Sequence, residues 1–120
     1  MRGGDISARD LLANATGISP FQRRVYEALL EVPSGKVTTY GALARRIGCG
    51  SPQAVGQALR RNPLAPQVPC HRVVAADGAL TGFGGCRDAA ALARKRALLE
   101  AEKVRWDETG RVLSTCFVAW

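Results

Sequence analysis

Hydrophobic residues recur at helical spacing over residues 20–32, the first strongly patterned stretch of the chain. Four apolar residues at positions i, i+4, i+7 and i+8 share one helix face: Phe21, Val25, Ala28 and Leu29. Ser19 is suited to the N-cap, Pro20 to the first helical position, and Gln22 completes a capping box. The sequence therefore predicts an amphipathic helix that ends at Pro33-Ser34-Gly35.

Two shorter helices are predicted next, on either side of the turn Gly48-Cys49-Gly50. The first covers about residues 40–47, and the second, capped by Ser51, covers about residues 52–61. The first is expected to bury Ala42, Leu43 and Ile47. Two short helices joined by a tight glycine turn are typical of a helix-turn-helix motif.

Gly56 lies in the middle of the third predicted helix, where it costs about 1 kcal/mol relative to Ala. A helix that must approach another surface closely, such as a nucleic-acid groove, explains that cost. Close packing against a second helix inside the domain is the alternative explanation.

The rest of the chain predicts little regular structure apart from one more helix. A short strand is expected at 73–75, a glycine loop with one aromatic at 81–85, and a helix at about 88–102. The loop can close over a ligand or be a plain connection. This last helix should contribute Ala91, Leu92, Leu98 and Leu99 to the core. A terminal hairpin is expected at 104–113, and the apolar tail 114–120 should pack back on the body.

These elements predict a mostly α fold with short strands. The 120 residues suit one domain, which we place at 19–120 behind a short lead-in at 1–18, where residues 10–15 suit a short helical turn. We expect this domain to be a monomer.

The charge of the chain is strongly basic and unevenly distributed. Seventeen Lys and Arg against ten Asp and Glu give a net charge of +7, and residues 21–72 hold eight of the basic side chains but only two Glu. This clustering favours a polyanionic partner, with nucleic acid ahead of an anionic membrane. A basic surface that only confers solubility is the alternative.

The four cysteines, Cys49, Cys70, Cys86 and Cys116, show neither the spacing of a disulfide framework nor a C-x-x-C pair. The N-terminus lacks the apolar segment of a signal peptide, and no apolar run approaches the ~20 residues that span a bilayer. We therefore expect a cytoplasmic protein with free thiols, no metal and no membrane contact.

Cys70 and His71, the only histidine, are adjacent after a segment broken by Pro63, Pro66 and Pro69. A cysteine on such a stiff segment beside a base is a candidate nucleophile, because the thiolate is the reactive form. Adjacent side chains of an extended segment face opposite ways, so direct contact needs a turn there or a bridging water. A buried apolar cysteine beside a surface histidine is the alternative interpretation.

Three sequence motifs together resemble the C-terminal active-site domain of the O6-alkylguanine-DNA alkyltransferases. They are residues 69–73 (PCHRV), 60–63 (RRNP) and 35–41 (GKVTTYG). The resemblance runs from about Ile18 to Val112. It implies a helix-turn-helix, winged-helix-like DNA-binding domain, and a repair protein that moves the alkyl group of O6-alkylguanine, or of O4-alkylthymine, to its own cysteine after flipping the nucleotide out of the duplex.

The resemblance also implies a role for each residue at the motif positions. Cys70 would accept the alkyl group, His71 would act through a water as its base, Glu102 would orient His71, and Asn62 would hold the active-site turn. Tyr40 would crowd the phosphate of the target nucleotide. The remaining residues implied at the DNA or the base pocket are Gln53, Ala54, Gly56, Gln57, Arg60, Arg72, Val73, Phe83 and Gly84. The implied partner is double-stranded DNA containing alkylated guanine, without a cofactor, in the cytoplasm and its nucleoid, or in the nucleus of a eukaryote.

The sequence departs from the family pattern in three respects. Gln53 stands where members usually place the arginine that fills the gap left by the flipped base, and Gly84 stands where a serine is common. Many members also carry an additional N-terminal domain, and we expect the active-site half to fold without it. A non-catalytic alkyltransferase-like protein that only binds the lesion is therefore an alternative function, although Cys70 argues against it. A plain helix-turn-helix regulator is the third.

Overall fold

A computed structural model describes residues 8–64, 67–80 and 89–120. Within them the helices are α1 (Ala8–Asn14), α2 (Pro20–Leu29), α3 (Tyr40–Arg46), α4 (Pro52–Arg60) and α5 (Ala89–Ala101). The strands β1 (Thr38–Thr39) and β2 (Val73–Val74) pair in parallel, and Cys70–Arg72 and Ser114–Cys116 form 3-10 turns. The predicted mostly α fold with short strands is confirmed.

The start of α2 has the predicted capping box. The Ser19 hydroxyl accepts a hydrogen bond from the Gln22 amide at 3.0 Å, and the Ser19 amide donates to the Gln22 side chain at 2.8 Å. Val25, Ala28 and Leu29 of the predicted face are buried, and Phe21 packs against the same core while remaining partly exposed. Local capping and periodicity thus define this helix as predicted.

Helices α3 and α4 pack against each other across the predicted turn. Gly48 has a φ of +71°, a left-handed conformation that favours glycine, and the Cys49 amide donates to the Ala44 carbonyl at 2.8 Å. The Ser51 hydroxyl caps α4 by accepting from the Ala54 amide. Leu43 is buried as predicted, whereas Ala42 is only half-buried because Ala44 takes the second core position. The helix-turn-helix pair is confirmed.

Strand β1 was not predicted, because two residues are too short to show an alternating pattern. Thr38 pairs with Val73 and Thr39 with Val74. Val37, directly before β1, bonds the C-terminal tail. The Val37 amide donates to the Cys116 carbonyl, and the Val37 carbonyl accepts from the Val118 amide, both at 2.8 Å. The tail therefore packs back on the body, as predicted.

The last predicted elements are partly confirmed. The described part of α5 begins at Ala89, and Glu102 directly follows its last residue. Ala91 and Leu99 of its predicted face are buried, whereas Leu92 and Leu98 are half-buried. The expected hairpin is reduced to one antiparallel bridge, between Trp106 and Val112.

Two hydrophobic clusters meet at β2. Val73 belongs to the first, between the helices α1 to α4, and Val74 belongs to the second, between α5 and the C-terminal tail. Successive strand residues face opposite sides, so these two residues place the clusters back to back. Leu12 of α1 also packs into the first cluster, while the domain boundary at residue 18 stays a prediction.

No helix in the described part of the chain is both long enough and apolar enough to cross a membrane.

Candidate active site and nucleic-acid interface

Of the two arrangements expected at Cys70, a turn or a bridging water, the structure has the turn. The Arg72 amide donates to the Pro69 carbonyl at 3.0 Å, which closes the 3-10 turn Cys70–Arg72 directly before β2. His71 is buried, with 2% of its surface exposed, and Cys70 is half-buried. The alternative of a buried cysteine beside a surface histidine is therefore wrong for this chain.

Asn62 fastens the segment that leads to this turn. Its side-chain amide donates to the Val68 carbonyl at 2.9 Å, and its side-chain oxygen accepts from the Leu64 amide at 2.9 Å. Burial raises the pKa of the Cys70 thiol, and a hydrogen bond with the Asn62 side chain partly offsets that effect. Asn62 thus fixes the backbone of the approach, and the Val68 carbonyl that it bonds also accepts from the Cys70 amide at 2.8 Å.

His71 is paired with Glu102, as the resemblance implies. Its Nε2 lies 3.0 Å from Glu102 Oε2. Burial lowers the pKa of His71 despite the opposing carboxylate, so the ring is neutral at pH 7 and donates from Nε2. Nδ1 is buried without a hydrogen-bond partner among the described residues, which leaves its lone pair free to accept a proton.

Arg72 holds the other side of the same carboxylate. Its Nε donates to Glu102 Oε1 at 2.9 Å and a terminal nitrogen donates to Oε2 at 2.6 Å, while the other terminal nitrogen donates to the Val32 carbonyl at 2.7 Å. Burial alone would raise the pKa of Glu102, but the hydrogen bonds from Arg72 and His71 hold it below its ordinary value. The guanidinium therefore orients an ionised carboxylate, and a contact between Arg72 and DNA stays a prediction.

The turn after α2 lies close to the backbone of Glu102. Gly35 has a φ of +90°, and a Cβ built on it would lie 3.2 Å from the Glu102 carbonyl oxygen. Both the backbone conformation and the close approach favour glycine there. The end of α5 is thereby held against the turn that precedes β1.

Lys95 belongs to this site and was not predicted from the sequence. It lies on α5 with 1% of its surface exposed, and its ammonium group donates to the Val73 carbonyl at 2.6 Å. Burial lowers its pKa to about 8, and its charge in turn lowers the pKa of Cys70. Its spacing of four residues from both Ala91 and Leu99 places it on the buried helix face, a signal that the sequence contained.

Most of the residues implied at the DNA or the base pocket lie on α3 and α4. Gln53, Gln57 and Arg60 are exposed on α4, whereas Ala54 and Gly56 are half-buried. Half-buried Tyr40 begins α3 and packs against the first cluster, as does buried Val73. Phe83 and Gly84 lie outside the described residues.

A Cβ built on Gly56 would meet no other atom within 4 Å in the described structure. Close packing inside the domain therefore does not account for this glycine. That α4 approaches an external surface at this position stays a prediction.

The described residues also form a cavity that the Cys70–Arg72 turn does not line. This cavity of about 440 Å³ lies between α5 and the 107–111 turn, and its lining includes Arg96 and Arg111 but not Cys70.

Cys49, Cys70 and Cys116 are free thiols, and the described part of the chain has no group of three or more His, Cys, Asp or Glu that could hold a metal ion.

Residues 20–104 match the family model of the 6-O-methylguanine DNA methyltransferase DNA-binding domain. The methylated-DNA–protein-cysteine methyltransferase of Mycobacterium bovis is 47% identical over 103 residues, which are 85% of this chain and 59% of that protein. The chain thus spans about six-tenths of the length of such curated relatives.

Two solved structures show the same likeness. Mycobacterium tuberculosis OGT in complex with DNA superposes with a TM-score of 0.65 at 50% identity, over 72% of this chain and 51% of that one. Schizosaccharomyces pombe Atl1, in complex with damaged DNA containing O6-carboxymethylguanine, has a TM-score of 0.70 at 31% identity, over 88% of this chain and all of that one.

Proposed function

Because the chain belongs to the O6-methylguanine DNA methyltransferase family, we propose that it repairs DNA by moving the alkyl group of O6-alkylguanine to its own Cys70. The observation that carries this proposal is the Cys70–His71 turn with its His71–Glu102 pair at 3.0 Å. In this turn a neutral base whose orientation is fixed by Glu102 directly follows the half-buried Cys70 in the chain. A thiol poised in this way is suited to attack a soft electrophile such as an alkyl carbon.

The reaction is a single displacement at the alkyl carbon. The Cys70 sulfur forms a bond to that carbon as the bond between the carbon and guanine O6 breaks. The thiol proton passes to His71, through a water, and N1 of the departing guanine takes up a proton, so that the net products are S-alkylcysteine and guanine. Glu102 stabilises the positive charge that His71 gains while it holds the proton.

The product explains why one protein molecule would act once. A thioether is not hydrolysed under ordinary conditions, and the displacement consumes the nucleophile. We therefore propose a stoichiometric reaction in which the transferase ends as the alkylated protein.

DNA would be bound by the exposed face of α4. Gln53, Gln57 and Arg60 lie on that face, and the open surface at Gly56 allows a close approach to a groove. The target atom is paired inside the duplex, so the nucleotide must be flipped out at a cost of a few kcal/mol. Gln53 is expected to occupy part of the gap, with less reach than an arginine. Contacts between the basic side chains and phosphates make the binding salt-dependent.

The protein is proposed to act as a monomer on chromosomal DNA, in the cytoplasm or in the nucleus of a eukaryote. A reducing compartment suits a reaction that needs a free thiol at Cys70.

A non-catalytic lesion binder is the second candidate function. The superposition on S. pombe Atl1 over the whole of that chain favours keeping it. Cys70 distinguishes the two functions, because a protein that only binds the lesion needs no nucleophile beside a histidine and a carboxylate.

The test is the intact mass of the protein after incubation with duplex DNA that carries O6-methylguanine. We expect a gain of one methylene on Cys70, its absence in Cys70→Ala, and its retention in the control Cys49→Ala. Tight binding of the lesion without a change in mass would support the second candidate. Binding without preference for the lesion would contradict both.

A further inference from the structure

Tyr26 is a buried phenol on α2 whose hydroxyl reaches a second helix. The side chain has no exposed surface, and its hydroxyl donates to the Ala58 carbonyl of α4 at 2.6 Å. The same oxygen accepts from the Gln22 side chain at 3.3 Å. The other end of the Gln22 amide is held by the Ser19 amide, which fixes the NH₂ group toward Tyr26. The hydroxyl is therefore oriented to donate toward α4.

The carbonyl that Tyr26 reaches is one that α4 itself leaves without a backbone donor. The last carbonyls of a helix have no partner inside it. After α4 the Arg61 amide donates to Gln57 and the Asn62 amide donates to Leu59, so neither bonds the intervening Ala58 carbonyl. Ala58 is buried, and an unpaired carbonyl there would carry a desolvation penalty. The phenol of α2 thus caps the C-terminal end of α4.

The chain leaves this capped end directly into the active site. Asn62 lies two residues beyond the end of α4, and its side chain bonds the Val68 carbonyl and the Leu64 amide. The same Val68 carbonyl accepts from the Cys70 amide at 2.8 Å. The position of the last turn of α4 therefore determines where Asn62 meets the segment that carries Cys70.

We propose that Tyr26 is a positioning residue that joins the DNA-binding helix to the nucleophile, because its hydroxyl fixes the end of α4 from which Asn62 holds the Cys70 turn. The proposal rests on the proposed alkyl transfer. As a consequence, the exposed face of α4, where DNA would bind, and the turn that carries Cys70 form one rigid unit. A phenylalanine at this position would fill the same space but leave the Ala58 carbonyl unpaired.

The test compares Tyr26→Phe with Ser51→Ala, which removes a hydrogen bond from the opposite end of the same helix. Single-turnover transfer from an O6-methylguanine duplex is measured against DNA concentration. For Tyr26→Phe we expect the limiting rate to fall about five- to tenfold, with the half-saturating DNA concentration within about twofold of wild type. For Ser51→Ala the limiting rate should stay within about twofold. An equal limiting rate in Tyr26→Phe and wild type would overturn the proposal.

Hydrogen exchange of the DNA-free proteins separates this proposal from the proposed function. The Asn62 amide should exchange roughly tenfold faster in Tyr26→Phe than in wild type and be unchanged in Ser51→Ala. If wild-type protein transfers no methyl group, the proposed function fails, and the exchange result alone decides the role of Tyr26. Faster exchange at Asn62 would then support the positioning role, and unchanged exchange would overturn it.

Discussion

The nucleophile and its base are held by two different halves of the molecule. Cys70 is fastened through Asn62 to the first half, defined here as helices α1 to α4 with their hydrophobic cluster. His71 is paired with Glu102 at the end of α5, in the second half, which comprises α5 and the C-terminal tail. The adjacent residues Val73 and Val74 pack into the two different clusters. The site therefore forms only where both halves meet, and neither half alone brings a base to the sulfur.

Glu102→Gln is expected to have the largest effect, because it removes the negative charge that the second half pairs with His71. A neutral glutamine cannot stabilise protonated His71, and it cannot accept both hydrogen bonds from the Arg72 guanidinium as a carboxylate does. Methyl transfer should therefore slow about a hundredfold or more. DNA binding should be retained, since α4 is unchanged.

The control for this change is Glu100→Gln on the same helix. Glu100 is exposed and pairs only with Arg96 among the described ion pairs, so its loss should leave the transfer rate unchanged. Similar rates for both variants would contradict a role for the second half in the chemistry.

Lys95→Met tests the buried positive charge on α5, in the second half. The ammonium group lowers the pKa of Cys70, so its removal should raise that pKa further and slow transfer on the order of tenfold at pH 7. The pH dependence of Cys70 alkylation by iodoacetamide measures the thiol directly, and its midpoint should move to higher pH. The control, Lys103→Met, removes an exposed lysine just beyond the C-terminal end of α5 and should leave the midpoint unchanged.

Gly56→Ala probes the first half and has the smallest expected effect. Alanine should stabilise α4 by about 1 kcal/mol, which a thermal melt would register, because nothing in the described structure opposes the added Cβ. Affinity for duplex DNA should fall a fewfold if the groove approaches this face. Unchanged affinity would argue against the proposed binding surface.

The first half could be predicted from the sequence because local patterns determine it. The Ser19–Gln22 capping box and the apolar face of α2 act within a few residues, and the glycine turn between α3 and α4 is equally local. The adjacent Cys70 and His71 could be identified from the sequence as a candidate nucleophile and base, whereas the roles of Glu102 and Asn62 came from the family resemblance, since spacing alone could not assign them.

The second half and the segments that join it to the first half were harder to predict, because their contacts link residues far apart in the chain. Strand β1 forms only because Val73 and Val74 lie beside it, and α5 has a lysine within its buried face. Lys95 is held there by a carbonyl 22 residues earlier in the chain, which no local pattern shows. The same applies to Arg72, whose commitment to Glu102 and Val32 depends on the folded arrangement.

The most direct test of the central claim, that His71 takes the proton of Cys70, is the pH profile of single-turnover methyl transfer. Burial lowers the pKa of His71 and raises that of Cys70, so wild type should transfer at a nearly constant rate from about pH 6.5 to 7.5. The rate should fall at lower pH as His71 becomes protonated, and at higher pH as Lys95, whose pKa is about 8, loses its charge. His71→Gln should lose this plateau and speed up with rising pH as free thiolate accumulates. A wild-type rate that climbs about tenfold per pH unit across that window would mean that the thiolate forms without the histidine, and would contradict the account.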